Sequence, residues 1–433
     1  MQMYDLIACT RHGTALSEEE IRYIVRGFTD GEIPDYMMAA WLMAVCCQGL
    51  SAQETTALTL AMRDSGDCLD LSEIGGVTVD KHSTGGIGDK TTLVIAPLVA
   101  ACGGYVPKMS GRGLGFTGGT IDKLESIPGF STGMETAQFM QQVNRIGCCV
   151  IAQSGNLAPA DKKMYALRNL TAAVDSIPLI ASSIMSKKLA LGAACILLDV
   201  KCGTGAFMKE EKTAHMLACA MVDVGKACGR RCRALVTDMN APLGNAVGNA
   251  LEVAEAIRIL RGEADSPLAR LCLTLAAHML SLSGHGTAEE CEAMARRALD
   301  SGAALERLAQ MIEAQGGDAG VTEHPGRLPQ ARCALDVRAD KSGFLQSIRS
   351  EEIGLACLAL GAGRTAGHDR IDPGAGVLLH HAVQDAVDVG DVLCTVYGST
   401  QALCEEAAGR VRAAIRIDVE KPEGAALIRG IVE

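Results

Sequence analysis

Two glycine-rich segments constrain the fold of this chain more than any other feature. Residues 81–90 read KHSTGGIGDK, and residues 108–123 read KMSGRGLGFTGGTIDK. Each follows a short strand pattern, Val77–Val79 or Tyr105–Pro107, and the first precedes a predicted helix over Thr91–Ala101. Glycine lets the backbone approach an anion closely, and a helix amino terminus offers free N–H groups. The order of strand, loop and helix therefore predicts an α/β region with parallel strands.

The spacing of these glycines fits neither a Walker A loop nor a dinucleotide-binding fingerprint. One explanation of the first segment is a tight turn that needs glycine for its geometry alone. Lys81 and Ser83 directly ahead of the glycines, with Thr92 after them, favour an anion site instead. Loops that follow neighbouring parallel strands can meet at one end of the sheet, so we expect both to hold one phosphate. Two unrelated surface loops remain the alternative.

Helical patterns precede and interrupt the α/β region. Ser17 and Glu20, and again Ser51 and Glu54, form S-x-x-E capping boxes that open helices within roughly the first 65 residues. Residues 159–192 turn helical again. We expect this insert to pack on the amino-terminal helices and to leave a cleft beside the α/β region.

The remaining patterns predict three domains in an α/β fold class. Further strands are predicted at Cys148–Ala152, Cys195–Val200 and Ala234–Thr237, with a helix at Glu252–Leu260. Beyond residue 335, short strands and turns predict a mixed domain. The prediction is a small all-α domain (1–65 plus 159–192), a larger α/β domain with a mostly parallel central sheet (70–155 plus 193–330), and a C-terminal α+β domain (335–433).

Composition excludes several classes of protein. A net charge of −11 argues against binding to nucleic acid or anionic membranes, which needs a basic face. The most apolar stretches, Met37–Cys47 and Leu93–Cys102, are shorter than a membrane span. The 18 cysteines show no paired CxxC spacing, and no secretory signal begins the sequence. We therefore expect a cytoplasmic enzyme with reduced thiols and small-molecule substrates.

A third group of polar residues belongs to the helical insert. Arg168 ends one predicted helix, while Ser183 and Lys187 lie four residues apart and share a helix face. Two cations and a hydroxyl suit a planar ring that carries carbonyl oxygens and an acidic N–H. Solvated surface cations are the competing explanation.

Taken together, the motifs resemble one enzyme family. The string SGRGLGFTGGTIDKLE (110–125) is similar to the signature of the thymidine and pyrimidine-nucleoside phosphorylases. KHSTGGIGDK, SGNLAPADKKMYALRN, DVKCGTGAFMK and TDMNAPLGNAVGNALEVAEA resemble other blocks of that family. The resemblance implies phosphate-dependent cleavage of pyrimidine nucleosides, with inorganic phosphate as co-substrate and no organic cofactor. It also implies a homodimer formed through the helical domains.

The resemblance assigns roles to particular residues. The implied phosphate ligands are Lys81, Ser83, Thr92, Lys108, Ser110 and Thr120. The implied base-binding residues are Arg168, Ser183 and Lys187, of which Arg168 and Lys187 would stabilise the departing base. His82 would assist the base with a hydrogen bond or a proton, which makes His82, Arg168 and Lys187 the expected catalytic residues. A monovalent cation, expected to be potassium, would lie at the positions of Gly88, Lys90, Leu243, Ala246 and Glu255.

Three positions depart from the family pattern. Phe116 replaces a usual histidine, Asn169 a usual aspartate and Ala241 a usual glutamine. None removes an implied ligand, although Phe116 lies in the signature loop, where it would favour domain closure by apolar packing. Lys108 predicts the use of uridine as well as deoxynucleosides, because members restricted to deoxynucleosides tend to carry methionine there.

Two other functions stay open at this point. One is an anthranilate-type phosphoribosyltransferase, which has a similar glycine loop and would need magnesium-binding carboxylates near the second loop. The other is a nucleoside-binding regulator without catalysis. Phosphate-dependent, magnesium-independent release of uracil from uridine would separate all three.

Overall fold

The structure is a computed structural model that describes residues 2–113, 118–153, 155–364 and 370–433. Four helices form the amino-terminal unit: α1 (Met3–Arg11), α2 (Glu18–Asp30), α3 (Asp35–Gln48) and α4 (Ala52–Arg63). Ser17 and Ser51 cap α2 and α4 with complete capping boxes, as the sequence predicts. Each serine side chain accepts a backbone N–H that would otherwise lack a partner.

The middle of the chain alternates strands and helices. Its elements are β1 (Val79–Ser83), α5 (Thr91–Ala101), β2 (Val106–Ser110), α6 (Thr120–Glu125), α7 (Thr136–Ile146), β3 (Cys148–Ala152), α8 (Pro159–Leu170), α9 (Ile177–Leu191), β4 (Cys195–Cys202), α10 (Glu211–Ala227), β5 (Arg231–Asp238), β6 (Ala246–Val247), α11 (Asn249–Leu260), α12 (Pro267–Leu282), α13 (Ala288–Asp300) and α14 (Ala303–Ala314). Helices α8 and α9 pack back on α2–α4, where Met164 and Leu179 share a core with Phe28 and Trp41.

The rest of the chain adds a second set of strands. Two short 3₁₀ helices lead to β7 (Cys333–Arg338), β8 (Gly343–Ile348), α15 (Ser350–Ala359), β9 (Gly376–Leu379), β10 (Ala386–Val387), β11 (Val392–Gly398), α16 (Gln401–Ala414), β12 (Ile415–Asp418) and β13 (Ile428–Val432). A separate apolar core lies among these elements, which include two antiparallel sheets.

The central sheet has the order β1-β4-β5-β13, and β2 and β3 form a parallel pair next to it. The β1–β4 and β4–β5 pairs are parallel, and only the β13 edge is antiparallel. The predicted fold class is therefore confirmed. The carboxyl ends of β1 and β2 carry the two glycine loops, as expected for ligand sites in such sheets.

Several bounds differ from the prediction. β1 begins at Val79 and includes Lys81–Ser83, because these residues pair with Leu197–Asp199 of β4, while Thr78 makes only an isolated bridge. β2 likewise extends to Ser110 through its pairing with β3. The last strand, within the predicted C-terminal domain, instead joins the central sheet beside β5, and β6 pairs with β9 of the C-terminal sheet. These pairings join residues far apart in sequence, so local patterns do not reveal them.

In the described part of the chain, no helix is long and apolar enough to cross a membrane.

Candidate active site

Two neighbouring cavities contain most of the residues that the sequence singled out. The loop cavity, about 220 Å³, lies between the two glycine segments, and the helix cavity, about 390 Å³, lies against α8 and α9. Gln153 lines both, so the cavities adjoin. Clefts of about 610 and 830 Å³ elsewhere are lined by none of the predicted site residues.

The loop cavity brings together residues from both glycine segments. It is lined by His82, Ser83, Thr92, Lys108, Ser110 and Thr120, among others. Two glycines fix the backbone of these loops. Gly88 has a φ of +74°, and a Cβ at Gly119 would lie 2.1 Å from the backbone nitrogen of Gly113. Any side chain at Gly119 would therefore push the ends of the second loop apart.

Two lysines beside the loop cavity share one carboxylate. Asp80, which is fully buried, accepts Lys188 at 2.8 Å and lies 3.4 Å from Lys108. Both lysines line the cavity. Because one carboxylate faces two ammonium groups when Lys108 is charged, the cluster then carries net positive charge and favours an anion beside it.

His82 lies close to this positive charge. Burial and the neighbouring Lys188 and Lys108 hold the pKa of His82 well below its usual value. The imidazole is therefore neutral near pH 7, and it can donate a hydrogen bond through one ring N–H. The proton donation considered for His82 at the sequence level does not fit this environment, because a histidine donates a proton near neutral pH only from its charged imidazolium form.

Asp89 is a carboxylate that lines the loop cavity. Burial alone would raise the pKa of Asp89, but Lys81, Lys201 and Lys123 outweigh burial and hold it well below the usual value. Its Oδ1 accepts the hydroxyl of Thr91 at 2.6 Å. Asp89 therefore remains ionised, and it orders the first turn of α5 at the edge of the cavity.

The structure does not bring Lys81 into the loop cavity. Its side chain lies on the opposite face of β1 from Asp80 and His82, because neighbouring strand residues point to opposite faces. Its Nζ contacts Asp199 at 3.1 Å and donates to Thr91 at 2.6 Å, and it is 1% exposed. The direct phosphate contact implied for Lys81 therefore does not fit this structure, because its ammonium group is paired with buried carboxylates and does not reach the loop cavity.

The helix cavity contains two of the three predicted base-binding residues. Ser183 and Lys187 line it together with Asp161, Tyr165 and other residues. Lys187 pairs with Asp161, and its Nζ lies 3.3 Å from the hydroxyl of Ser183. Its side chain keeps 22% exposure, so the ammonium is accessible from the cavity.

Arg168 is the predicted base-binding residue that the structure places elsewhere. Its guanidinium donates to the backbone oxygens of Ala173 at 2.9 Å, Val174 at 2.7 Å and Leu179 at 3.2 Å. It is 2% exposed and does not line the helix cavity. These bonds hold the α8–α9 connection, and the guanidinium lies over the ring of Tyr165, 5.5 Å from its centroid. Arg168 thus supports the cavity wall from behind.

The residues assigned to a monovalent cation do not fit a metal site. The ammonium of Lys90 donates to the backbone oxygens of Leu243 and Ala246 and to the carboxylate of Glu255. A charged lysine has no lone pair to offer a metal, and here it takes the oxygens that would bind one. Gly88 packs against the same carbonyls.

Two of the three family departures, Asn169 and Ala241, fall outside the described cavities. Phe116 lies outside the described residues, so the expectation of closure by apolar packing stays a prediction. Asn169 is exposed on α8, and Ala241 is partly buried. Neither lines the loop cavity or the helix cavity.

Lys188, Asp80 and Gln153 are site residues that the sequence reasoning missed. A signal existed for Asp80, because residues two apart in a strand share a face and Asp80 precedes His82 by two. Lys188 follows Lys187 by about 100° around α9, which turns it from the helix cavity toward Asp80. No local pattern marks Gln153.

Comparison with known proteins first defines the class. The anthranilate phosphoribosyltransferase of Thermus thermophilus has a similar fold, with a TM-score of 0.59 over 71% of this chain and 98% of that chain. At 20% sequence identity this likeness shows the fold alone. Residues 4–66 match the glycosyl transferase family helical bundle domain, and residues 75–305 match the glycosyl transferase family a/b domain. The chain is therefore an enzyme of the glycosyl transferase, or pentosyltransferase, class.

The particular family follows from the C-terminal domain and from close relatives. Residues 344–418 match the pyrimidine nucleoside phosphorylase C-terminal domain. The pyrimidine-nucleoside phosphorylases of Geobacillus stearothermophilus and Staphylococcus aureus are 51% identical over 402 residues, 93% of this chain and 93% of theirs. The chain belongs to the pyrimidine-nucleoside phosphorylase family. Membership confirms the family resemblance and sets aside the non-catalytic regulator.

Proposed function

We propose that this enzyme catalyses the reversible phosphorolysis of uridine, deoxyuridine and thymidine to a free pyrimidine and a pentose 1-phosphate. The observation that carries the proposal is the pair of adjoining cavities that share Gln153. One is lined by Lys108, Lys188 and the glycines of both loops, which suits phosphate. The other presents Lys187 and Ser183 to a flat ring.

The proposed chemistry needs few groups beyond these. An oxygen of phosphate in the loop cavity forms a bond to the anomeric carbon, while the carbon–nitrogen bond to the base breaks. The bonding electrons leave with the pyrimidine, which carries negative charge until it is protonated. Binding both reactants side by side replaces a bimolecular encounter. Lys187 is the cation that we assign to stabilise the negative charge developing on the base.

Neutral His82 and buried Ser183 complete the proposed site as hydrogen-bonding groups. His82 lines the loop cavity, and Ser183 lines the helix cavity. An N–H of neutral His82 can donate to a ring carbonyl without any change in charge. Arg168 acts in this proposal only by holding Tyr165 and the α8–α9 connection.

Uridine provides the direct test. We expect release of uracil that requires phosphate, persists with a chelator of divalent ions, and is accompanied by ribose 1-phosphate. Deoxyuridine and thymidine are expected to react under the same conditions. Cleavage of thymidine without any cleavage of uridine would contradict the broad specificity that Lys108 suggests. A requirement for magnesium and a diphosphate-bearing sugar would instead favour the phosphoribosyltransferase alternative.

Lys108 should make phosphate use depend on pH. Burial lowers the pKa of Lys108 to about 7, against the opposing effect of Asp80. The lysine is charged below that pH and neutral above it, so its contribution to phosphate binding falls as the pH rises through about 7. We expect the ratio of kcat/KM for phosphate, wild type over Lys108→Met, to be roughly ten to a hundred at low pH, because a charge-assisted bond contributes about 1.5–3 kcal/mol.

Both enzymes see the same phosphate species, so the ratio removes the titration of phosphate itself. It should approach one at alkaline pH. A ratio that is constant across the range would show that Lys108 does not titrate where phosphate binds.

We also propose a cytoplasmic homodimer. Large apolar side chains of the helical domain are exposed in the single chain, among them Tyr4 at 72%, Tyr36 at 73% and Leu170 at 85%. Exposed apolar side chains on neighbouring helices are typical of an interface. No disulfide forms among the described residues, which is consistent with a reducing compartment.

A further inference from the structure

Lys90 occupies a fully enclosed oxygen cage. Its Nζ donates to the backbone oxygens of Leu243 at 2.8 Å and Ala246 at 2.7 Å, and to Oε2 of Glu255 at 2.6 Å. The ammonium has three N–H donors, and all three are used. The Lys90 side chain has no exposure, and that of Glu255 has 9%. The positive charge inside the cage is therefore the ammonium group of Lys90 itself.

The cage oxygens are themselves fixed by the backbone around them. Glu255 accepts the N–H groups of Asn245 at 2.7 Å and Ala246 at 2.9 Å. Burial would raise the pKa of Glu255, but Lys90 and these two N–H groups lower it. A second positive ion at this position would be repelled by the ammonium at a few ångströms, in surroundings that screen charge weakly.

The cage joins three parts of the site. Lys90 directly precedes α5, whose first turn borders the loop cavity. Ala246 belongs to β6, which pairs with β9 of the C-terminal sheet, and the N–H of Leu379 donates to Asn245 at 2.7 Å. Glu255 lies on α11. The ammonium group of Lys90 thus connects the first glycine loop to β6, the strand that pairs with the C-terminal sheet.

A parallel contact ties the second glycine loop to the same helix. Lys123 of α6 pairs with Glu252 at 2.7 Å and donates to the backbone oxygen of Asp89 at 2.6 Å. Glu252 and Glu255 are three residues apart and share a face of α11. Both loops of the loop cavity are therefore anchored to α11 through buried lysine–glutamate pairs.

We propose that Lys90 is a built-in cation that replaces a bound monovalent metal ion, so that this enzyme needs no potassium to hold its phosphate loop. The proposal concerns the architecture of the loop and does not depend on which nucleoside is the substrate. It also predicts that removal of the ammonium opens a site of the right charge and size for potassium or ammonium ions. Two carbonyl oxygens and a carboxylate would then remain to bind the ion.

The test compares wild type, Lys90→Thr and Lys90→Met by thermal unfolding during a potassium chloride titration. Choline chloride keeps the ionic strength constant, so that general screening does not change. Threonine is short and adds an oxygen ligand. Methionine fills the volume of lysine with no charge and leaves no room for an ion. Thermal unfolding reads out the cage whether or not the enzyme is active.

We expect the melting temperature of the wild type to be unaffected by potassium. Both variants should melt lower by roughly 5 °C or more without potassium, because Glu255 loses its buried partner. Potassium or ammonium ions should restore Lys90→Thr by binding the folded state, and should not restore Lys90→Met. Phosphorolysis measured in parallel should follow the same pattern.

Two results would overturn the proposal. A wild-type enzyme whose melting temperature or activity rises with potassium would show that a metal ion binds besides Lys90. Equal insensitivity of Lys90→Thr and Lys90→Met to potassium would show that the cage is not a cation site. The wild-type titration decides the first point even if neither variant can be purified.

Discussion

Replacement of Lys187 with alanine is expected to lower kcat/KM for uridine by roughly a hundredfold or more, by analogy with loss of one preorganised transition-state donor. Lys187 is an accessible cation of the helix cavity, which the exposed Lys162 also lines, and the hydroxyl of Ser183 lies 3.3 Å from its Nζ. The base gains negative charge only as the carbon–nitrogen bond breaks, so the ammonium group of Lys187 stabilises the transition state more than the bound substrate. The loss should therefore appear in kcat, with a smaller change in the KM for the nucleoside.

The leaving group provides a sharper measurement of the same role. A 5-fluorinated uracil stabilises its own negative charge and needs less help from a cation. We expect Lys187→Ala to lose less activity with 5-fluorouridine than with uridine. Equal losses for both substrates would mean that Lys187 binds ground state and transition state alike, which contradicts its proposed part in the chemical step.

Asp161 requires a matched control. Its Oδ2 is the partner of Lys187, and the residue is 5% exposed, so Lys187→Ala leaves a buried carboxylate without its cation. The Lys187→Ala/Asp161→Asn double variant removes that unpaired charge. If the double variant regained activity, the defect of Lys187→Ala would come from Asp161 and not from the departing base. We expect it to regain stability alone.

The sequence predicts the elements of this fold well where local signals set them. Ser17 and Ser51 cap their helices as expected, and β3 has the predicted bounds at Cys148 and Ala152. Capping depends on residues three positions apart, and a buried strand shows as a continuous apolar run. By contrast, β13 joins the central sheet through pairing with β5, about 190 residues earlier in the chain. Only long-range packing decides such a pairing.

In the candidate site too, local sequence signals predict the placement of some residues, while long-range contacts decide the placement of others. Ser83, Thr92, Lys108, Ser110 and Thr120 line the loop cavity because the glycine loops and strand ends place them there. Lys81, Lys90 and Arg168 are the cations whose placement the sequence did not predict. Lys81 pairs with Asp199, and Lys90 pairs with Glu255, both from distant parts of the chain. Arg168 donates to backbone carbonyls of the α8–α9 connection. A lysine or arginine in a motif reveals its charge, but not the partner that neutralises it.

Lys81→Met should lower the stability of the folded protein, because the ammonium group of Lys81 pairs with buried carboxylates and does not line the loop cavity. Lys81 lies 3.1 Å from Asp199, whose side chain is fully buried, and 3.9 Å from Asp89. Removing one partner of a buried ion pair typically costs about 3–5 kcal/mol. Lys201 remains 2.7 Å from Asp199. We therefore expect the lower end of this range, about 3 kcal/mol of unfolding free energy in urea.

Lys209→Met is the matched control, because Lys209 also pairs with a carboxylate, Glu351, but at 3.7 Å and with 56% of its side chain exposed. Loss of an exposed pair should change stability by less than about 1 kcal/mol. The same preparations can be assayed for the KM of phosphate. If Lys81→Met kept wild-type stability while that KM rose tenfold or more, a full charge-assisted contact to phosphate would be lost. Lys81 would then face phosphate in the working enzyme, as the family resemblance implies, and its pairing with Asp199 would not be the interaction that fixes its place.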